Sequence, residues 1–213
     1  MICGYFRLAK QSIVVLVLVV LASFGEESLS SDSSATRDGL VQKSREGDVT
    51  AIEALGKSKD ASLIPALSLQ INEARNSKAS PVLIRVLRKS LAQLGDTASQ
   101  HEIRQEISSK DRYVQFHAFE DAAAVGGNVM IVAIAEKLFD TAPGGRPTDE
   151  AGNLVEDVSL PAPRHAAVVA LSRMIADPSA PRIDLKRITY NDDNVQQWRK
   201  WWQANKAKFD DSR

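Results

Sequence analysis

Pro163-Arg164-His165-Ala166-Ala167-Val168-Val169-Ala170-Leu171 is the stretch whose reading decides the fold. A proline at its start suits the first turn of a helix, where the missing N–H would have no partner anyway. Ala167 and Ala170 are small residues one turn apart, and Leu171 closes the run. The same frame occurs three times upstream. Gly47-Asp48-Val49-Thr50-Ala51-Ile52-Glu53-Ala54-Leu55-Gly56 has small residues a turn apart and then Leu-Gly. Val86 through Gly95 repeats it with Ser90, Leu94 and Gly95 in matching places. Val114-Gln115-Phe116-His117-Ala118 opens a copy that runs one turn longer and ends at Val125-Gly126.

The residues between these copies keep helical spacing. Leu83, Leu87, Leu91 and Leu94 mark one face, with Val86 and Ser90 beside them. Leu63, Leu67 and Ile71 mark a second, and Ile131, Ile134 and Leu138 a third. Pro81 stands at a helix start, Gly95 fits a left-handed residue after a helix, and Gly56, Gly95 and Gly126-Gly127 each end a helical segment. No run of four to eight residues beyond the first 25 alternates as a half-buried strand does. Aromatics are only 6% of the chain, fewer than a β-sandwich normally uses. The expected class is all-α, with helices over 47–56 and 61–75, 80–94 and 97–109, and 111–125 and 128–140 paired in that order. A helix over 162–175 pairs with whatever 180–190 forms.

The repeated frame resembles the first helix of HEAT and PBS-lyase HEAT-like repeats: an apolar or proline start, an arginine, small residues a turn apart, then Ala-Leu-Gly. Arg164, Ala167, Ala170 and Leu171 fit best. The resemblance covers most of residues 38–176 and implies a short, right-handed solenoid of helical hairpins over 37–190. Small residues would let the helices of such a stack approach closely. The copies depart from the family pattern. Gly47 stands where an apolar start is usual, and Gln93 and Asp121 replace the second small residue. Their starts at 47, 86, 114 and 163 are 39, 28 and 49 residues apart, against a usual period near ~40.

An open solenoid needs its ends covered. Residues 191–213 supply a candidate C-terminal capping helix and tail. Asn191-Asp192-Asp193-Asn194 are helix-capping types, and Val195, Trp198, Trp202 and Phe209 fall largely on one helical face. Trp201 lies beside that stripe and is the ring expected to be exposed.

The first 25 residues read as a secretory signal peptide. Arg7 and Lys10 precede an apolar run from Ile13 to Ala22, and Ser23 and Gly25 occupy the small positions of a cut before Glu26. The run is short of the ~20 apolar residues that span a bilayer, so cleavage is the expectation and an uncleaved anchor the alternative. Residues 26–36 are serine-rich and acidic, which suggests a flexible linker. The expected address is outside the cytoplasm, periplasmic or secreted. Cys3, the sole cysteine, lies before the apolar run, so disulfides and cysteine chemistry are excluded from the mature chain. Removing the leader leaves 25 basic and 27 acidic side chains, a balance of −2. So neutral a chain argues against nucleic acid as the main partner.

The motifs that carry chemistry are incomplete. Gly56-Lys57-Ser58 lacks the first glycine of a phosphate-binding loop, since Ala51 stands in its place. His101-Glu102-Ile103-Arg104-Gln105 begins like a zinc-protease helix, but Gln105 replaces the second histidine. No serine occupies a Gly-x-Ser-x-Gly elbow. Glu102 and Glu106 flank Arg104, and Glu136 adjoins Lys137, as on solvated helix faces. No cofactor or metal site is therefore expected.

Residues 141–162 stand out as a Pro-, Gly- and acid-rich insertion between the third and fourth copies. Connections longer than about 12–15 residues without structure of their own usually have a purpose. It reads either as an interaction loop, with a short hairpin around Leu154-Val155, or as a tolerated surface insertion. Asp149, Glu150, Glu156 and Asp157 lack the order of a calcium loop. The functional expectation is a non-enzymatic, exported scaffold that binds another protein along its second helices. Its candidate contacts are Gln70, Glu73, Arg104, Gln105 and Lys137, with Trp201, Asp149 and Glu150 in the tail and loop. The alternatives are an accessory factor or enzyme of the PBS-lyase HEAT-like type, which the exported address disfavours, and an envelope protein held by its leader.

Overall fold

The computed structural model describes residues 26–146 and 159–210. The expected leader at 1–25 and the loop residues Asp149, Glu150, Leu154, Val155, Glu156 and Asp157 lie outside them. Among the described residues there are nine α-helices and no strand, so the protein is all-α. The helices are α1 (Glu26–Arg45), α2 (Val49–Lys57), α3 (Ile64–Asn76), α4 (Pro81–Gln93), α5 (Thr97–Ile107), α6 (Arg112–Val125), α7 (Asn128–Glu136), α8 (Pro163–Met174) and α9 (Asp192–Asn205). Short 3₁₀ turns occur at Ala61–Leu63, Lys137–Phe139 and Lys206–Phe209. No helix among the described residues is long and apolar enough to cross a membrane.

The chain divides into two compact units between Leu55 and Gly56. In the first, α1 takes in residues 26–36, where the sequence suggests a linker. Lys43 and Arg45 in its last turn suit the helix dipole. It ends in a Schellman motif at Gly47 (φ 83°), with Gly47 N–H on the Ser44 carbonyl and Asp48 N–H on that of Lys43. Gly47 therefore terminates one helix, and is not the opening residue of the next. The Asp48 carboxylate caps α2 by accepting from the N–H groups of Thr50 and Ala51.

In the second unit the caps follow the sequence closely. Ser80 accepts from Leu83 N–H before Pro81, Asp96 from Ser99, Asp111 from Tyr113 and Val114, and Asn191 from Asn194. Gly95 (φ 99°) is the expected left-handed residue, with its own N–H on Ala92 and that of Asp96 on Leu91. Lys78 (φ 54°) closes α3 in the same way without a glycine.

From α4 to α8, each helix packs against the next and against the next but one. Thus α4 touches α5 and α6, α5 touches α6 and α7, and α6 touches α7 and α8. The apolar faces read from the sequence are the buried ones, except that Leu83 is only half-buried: Leu63, Leu67 and Ile71; Leu87, Leu91 and Leu94; Ile131, Ile134 and Leu138. Residues 180–190 form turns and no helix, and α8 packs instead against the tryptophan-bearing α9.

Gly56 stands one residue before the end of its helix at Lys57, without a left-handed conformation. It is buried within α2, where an added Cβ would lie 2.8 Å from both Cα and Cβ of Ser90. A small residue on each side is what permits that approach. Trp201 corrects a second expectation: it is 8% exposed, as is Trp202, and Trp198 is fully buried. Trp201 and Trp202 are three and four residues beyond Trp198, so all three share one arc of the helix. The Trp201 indole N–H donates to Ser179 Oγ at 3.0 Å, and its ring meets that of Trp198 edge to face.

Candidate functional site

One opening in the second unit lies where the C-terminal segment meets α5 and α7. It is an open groove of about 580 Å³, lined by Arg104 of α5, Val129, Val132 and Glu136 of α7, Trp202 of α9, and Lys206, Ala207, Phe209 and Asp210 beyond it. Three features of the sequence build it. Helix α7 (NVMIVAIAE) is apolar nearly all round, so burying Met130, Ile131, Ile134 and Ala135 leaves Val129 and Val132 for another face. Helix α9 ends at Asn205, and the following 3₁₀ turn packs against α7 while Phe209 stacks at a tilt on Trp202. Arg104 is exposed on α5, at the edge of the stripe that buries Ile103 and Ile107.

Four charged side chains line this groove, Arg104 and Lys206 against Glu136 and Asp210. The carboxylates that flank Arg104 in sequence are engaged elsewhere. Glu102 pairs with Arg75 of α3 at 2.7 Å, and Glu106 pairs with Arg88 of α4. Arg104, Lys206 and Glu136 have no side-chain hydrogen bond or ion pair among the described residues, whereas Asp210 has a partner of its own. The groove thus combines an apolar floor with two uncommitted cations and one uncommitted carboxylate. Such a lining can bind and orient a ligand. It holds no nucleophile with an adjacent base.

Of the other candidate contacts, Glu73 on α3 and Gln105 on α5 are exposed, and Gln105 Nε2 lies 2.9 Å from His101 Nε2. Gln70 and Lys137 are half-buried. Arg104 alone of these residues lines the groove. Asp149 and Glu150 lie outside the described residues, and Trp201 is inside the cap.

A second polar cluster joins α4, α5 and α6. Arg85 donates through Nε and Nη2 to both carboxylate oxygens of the buried Asp121, at 2.8–3.1 Å, and through Nη2 to Glu120 at 3.2 Å. Arg88 reaches the same Asp121 at 3.6 Å while paired with Glu106. Burial by itself would lower the Arg85 guanidinium, but the hydrogen bonds and charge of Asp121 and Glu120 outweigh it and hold the group above its ordinary value. Two guanidinium groups share three carboxylates across α4, α5 and α6, which makes the cluster a tie between helices. Asp121, which breaks the small-residue pattern in the sequence, is its centre.

The three histidines lie in separate contacts: His101 with Gln105, His117 with Arg85 and Glu120, and His165 with Asp192. Among the described residues, no three His, Cys, Asp or Glu side chains gather as metal ligands. A smaller cavity of about 170 Å³ lies between α6 and α8, lined by Phe116, Phe119, Ala166, Val169 and Tyr190 among others.

The stem of the 141–162 insertion is also built. Gly145 and Leu160 exchange two backbone hydrogen bonds at 2.8 and 3.0 Å. Arg112 donates to the Pro161 carbonyl at 2.7 Å and Arg164 to that of Ala142 at 3.2 Å, so the first turns of α6 and α8 hold its two ends. At Gly144 an added Cβ would stand 2.9 Å from the Leu160 carbonyl oxygen.

Compared with known proteins, the chain matches no family model, no curated protein and no solved structure.

Proposed function

We propose that this protein is a non-enzymatic interaction scaffold, exported from the cytoplasm, that binds another protein along the side formed by its second helices. The observation that carries the reading is the open groove, whose apolar floor is flanked by Arg104, Lys206 and Glu136 without internal partners. Pockets of about 300–1,000 Å³ with a mainly apolar lining and a few polar groups are the usual form of binding sites. The one-apart and two-apart packing of α4 to α8 supports a short HEAT-like stack, because in a solenoid each helix meets its successor and its counterpart in the next repeat. The tryptophan-bearing α9 then serves as its C-terminal cap, and the stem of 141–162 presents an inserted loop at the N-terminal ends of α6 and α8. Export rests on the basic, apolar and small-residue succession of residues 1–25.

Site-directed photo-crosslinking in the native cells tests this function. Probes at Val129 and Lys206 should trap one common protein, while a probe at Val82 on α4 should not. No specific product from either groove position would overturn the scaffold reading. Mass spectrometry of the mature protein tests export separately, and a start at or near Glu26 is the expected result.

A further inference from the structure

His117 stands in two hydrogen bonds that a single nitrogen cannot make at once. Its Nδ1 lies 2.8 Å from Arg85 Nη1 on α4 and 2.9 Å from Glu120 Oε2 on its own helix, α6. A guanidinium nitrogen only donates, and an ionised carboxylate only accepts. Toward Arg85, Nδ1 has to be a bare acceptor. Toward Glu120, it has to carry a proton. The ring is partly buried, with Tyr113 edge-on to it at 4.3 Å between centroids.

The neighbours decide which partner holds in each protonation state. Arg85 is fixed, because Nε and Nη2 hold both oxygens of the buried Asp121 and Nη2 also reaches the His117 carbonyl at 3.3 Å. Its Nη1 has no acceptor but His117 Nδ1 among the described residues. Glu120 is freer: its side chain is 43% exposed, so water can take the place of the ring. Leaving a partly buried N–H without an acceptor costs more than returning an exposed carboxylate to water. The neutral ring is therefore the Nε2–H tautomer, with its Nδ1 lone pair on Arg85. A protonated ring has no lone pair, and its Nδ1–H goes to Glu120. The surrounding charge accommodates both states. Arg85 and Arg88 of α4 face Glu106 of α5 and Glu120 and Asp121 of α6, which leaves one carboxylate in excess. Arg173 of α8 borders the same small cavity as Glu120, and the one charged residue of α7, Glu136, lines the other groove.

We propose that His117 is a proton-operated switch at the junction of α4 and α6, exchanging Arg85 for Glu120 as the partner of Nδ1 when the ring takes up a proton. Histidine is the side chain whose charge ordinarily changes near neutral pH, which suits it to such a role. The proton cancels the surplus carboxylate charge of the cluster. It also replaces a bond between two helices by one within α6, since Glu120 is three residues beyond His117. Arg85 keeps Asp121 in both states, so the helices stay joined while one tie between them opens. The switch does not depend on the binding role proposed above.

Nitrogen NMR of the whole protein tests the switch, with His117→Gln assigning this ring among the three histidines. At about pH 8.5 Nδ1 should be unprotonated and Nε2 protonated, and at about pH 5 both should be protonated. Glu120→Ala should keep the alkaline tautomer. In acid it should speed exchange of the Nδ1 proton with water at least about tenfold over the unaltered protein at the same pH, because the bond to the carboxylate is lost. A protonated Nδ1 at the alkaline end would make Glu120 the permanent partner and overturn the proposal. So would a ring that keeps one protonation state across that range, or an Nδ1 proton whose exchange is indifferent to the loss of Glu120.

Discussion

Gly56 and Asp121 show how single residues carry this structure. Replacing a glycine inside a helix by alanine normally gains about 1 kcal/mol, because alanine is the better helix former. At Gly56 the new Cβ would lie 2.6 Å from Gln93 Oε1 and 2.8 Å from the Ser90 backbone. The amide can move, but the Ser90 Cα cannot without shifting α4. Gly56→Ala should therefore destabilise, by about 1–3 kcal/mol in chemical denaturation; a rise in the midpoint would show that no close approach exists there. Asp121 is 1% exposed and satisfies Arg85 from both oxygens. Asp121→Ala leaves that guanidinium without its main partner and should cost about 3–5 kcal/mol in the same measurement. The sequence marks Asp121 as an irregularity of the repeat and Gly56 as a regular helix end, and reveals the purpose of neither, because each depends on what the neighbouring helix presents.

At the scale of the element, caps and helix ends are the most legible features. A cap is a local hydrogen bond, made within three or four residues of the side chain that forms it, so Asn191 is legible as one; Ser80, Asp96 and Asp111 cap in the same local way but were not among the caps expected from the sequence. The end of α3 could not be read, since Lys78 adopts the left-handed conformation without being glycine. That conformation strains an L-residue by about 1–2 kcal/mol, and glycine returns about 0.5–1 of this as chain entropy. Lys78→Gly should accordingly stabilise by roughly 0.5–1 kcal/mol, while Gly95→Ala at φ 99° should destabilise; thermal unfolding of the two variants checks both signs. Helix α9 illustrates the opposite case. Its stripe was visible, but its width was underestimated at Trp201, because the residues that cover that ring, Ser179 and its neighbours, belong to a segment with no regular structure.

For the whole molecule, the C-terminal segment matters most. Trp198, Trp201 and Trp202 join the same apolar cluster as Ile103, Met130, Ile134 and Leu171. Trp198→Ala should cost about 3–5 kcal/mol and expose the end of the packed helices, detectable as increased binding of an apolar dye. The segment is also tied down through Asp177. Hydrogen bonds from the Ser179 hydroxyl and backbone, then from Lys208, lower its carboxyl from 3.8 to about 2. A carboxylate lowered by folding contributes stability above its ordinary value and loses it as pH falls through the folded one. Between about pH 4 and pH 2, the tryptophan emission should therefore change, and Asp177→Asn should remove that part of the titration. An acid transition identical in the variant would place the sensitive group elsewhere.

The sequence by itself determined the helices from α2 to α9 but not α1, because helical periodicity, caps and breakers act over a single turn or two of chain and residues 26–36 carry no apolar stripe. It also showed which faces are buried, since a stripe of leucine and isoleucine has only one way to leave water. Only the tertiary structure decided where the groove lies. Val129 and Val132 look like more core, and Arg104 looks paired with Glu102 and Glu106, until α3 and α4 supply Arg75 and Arg88 to those carboxylates instead. A charge is left uncommitted by what its competitors find across space, and that is a property of packing which no local pattern encodes.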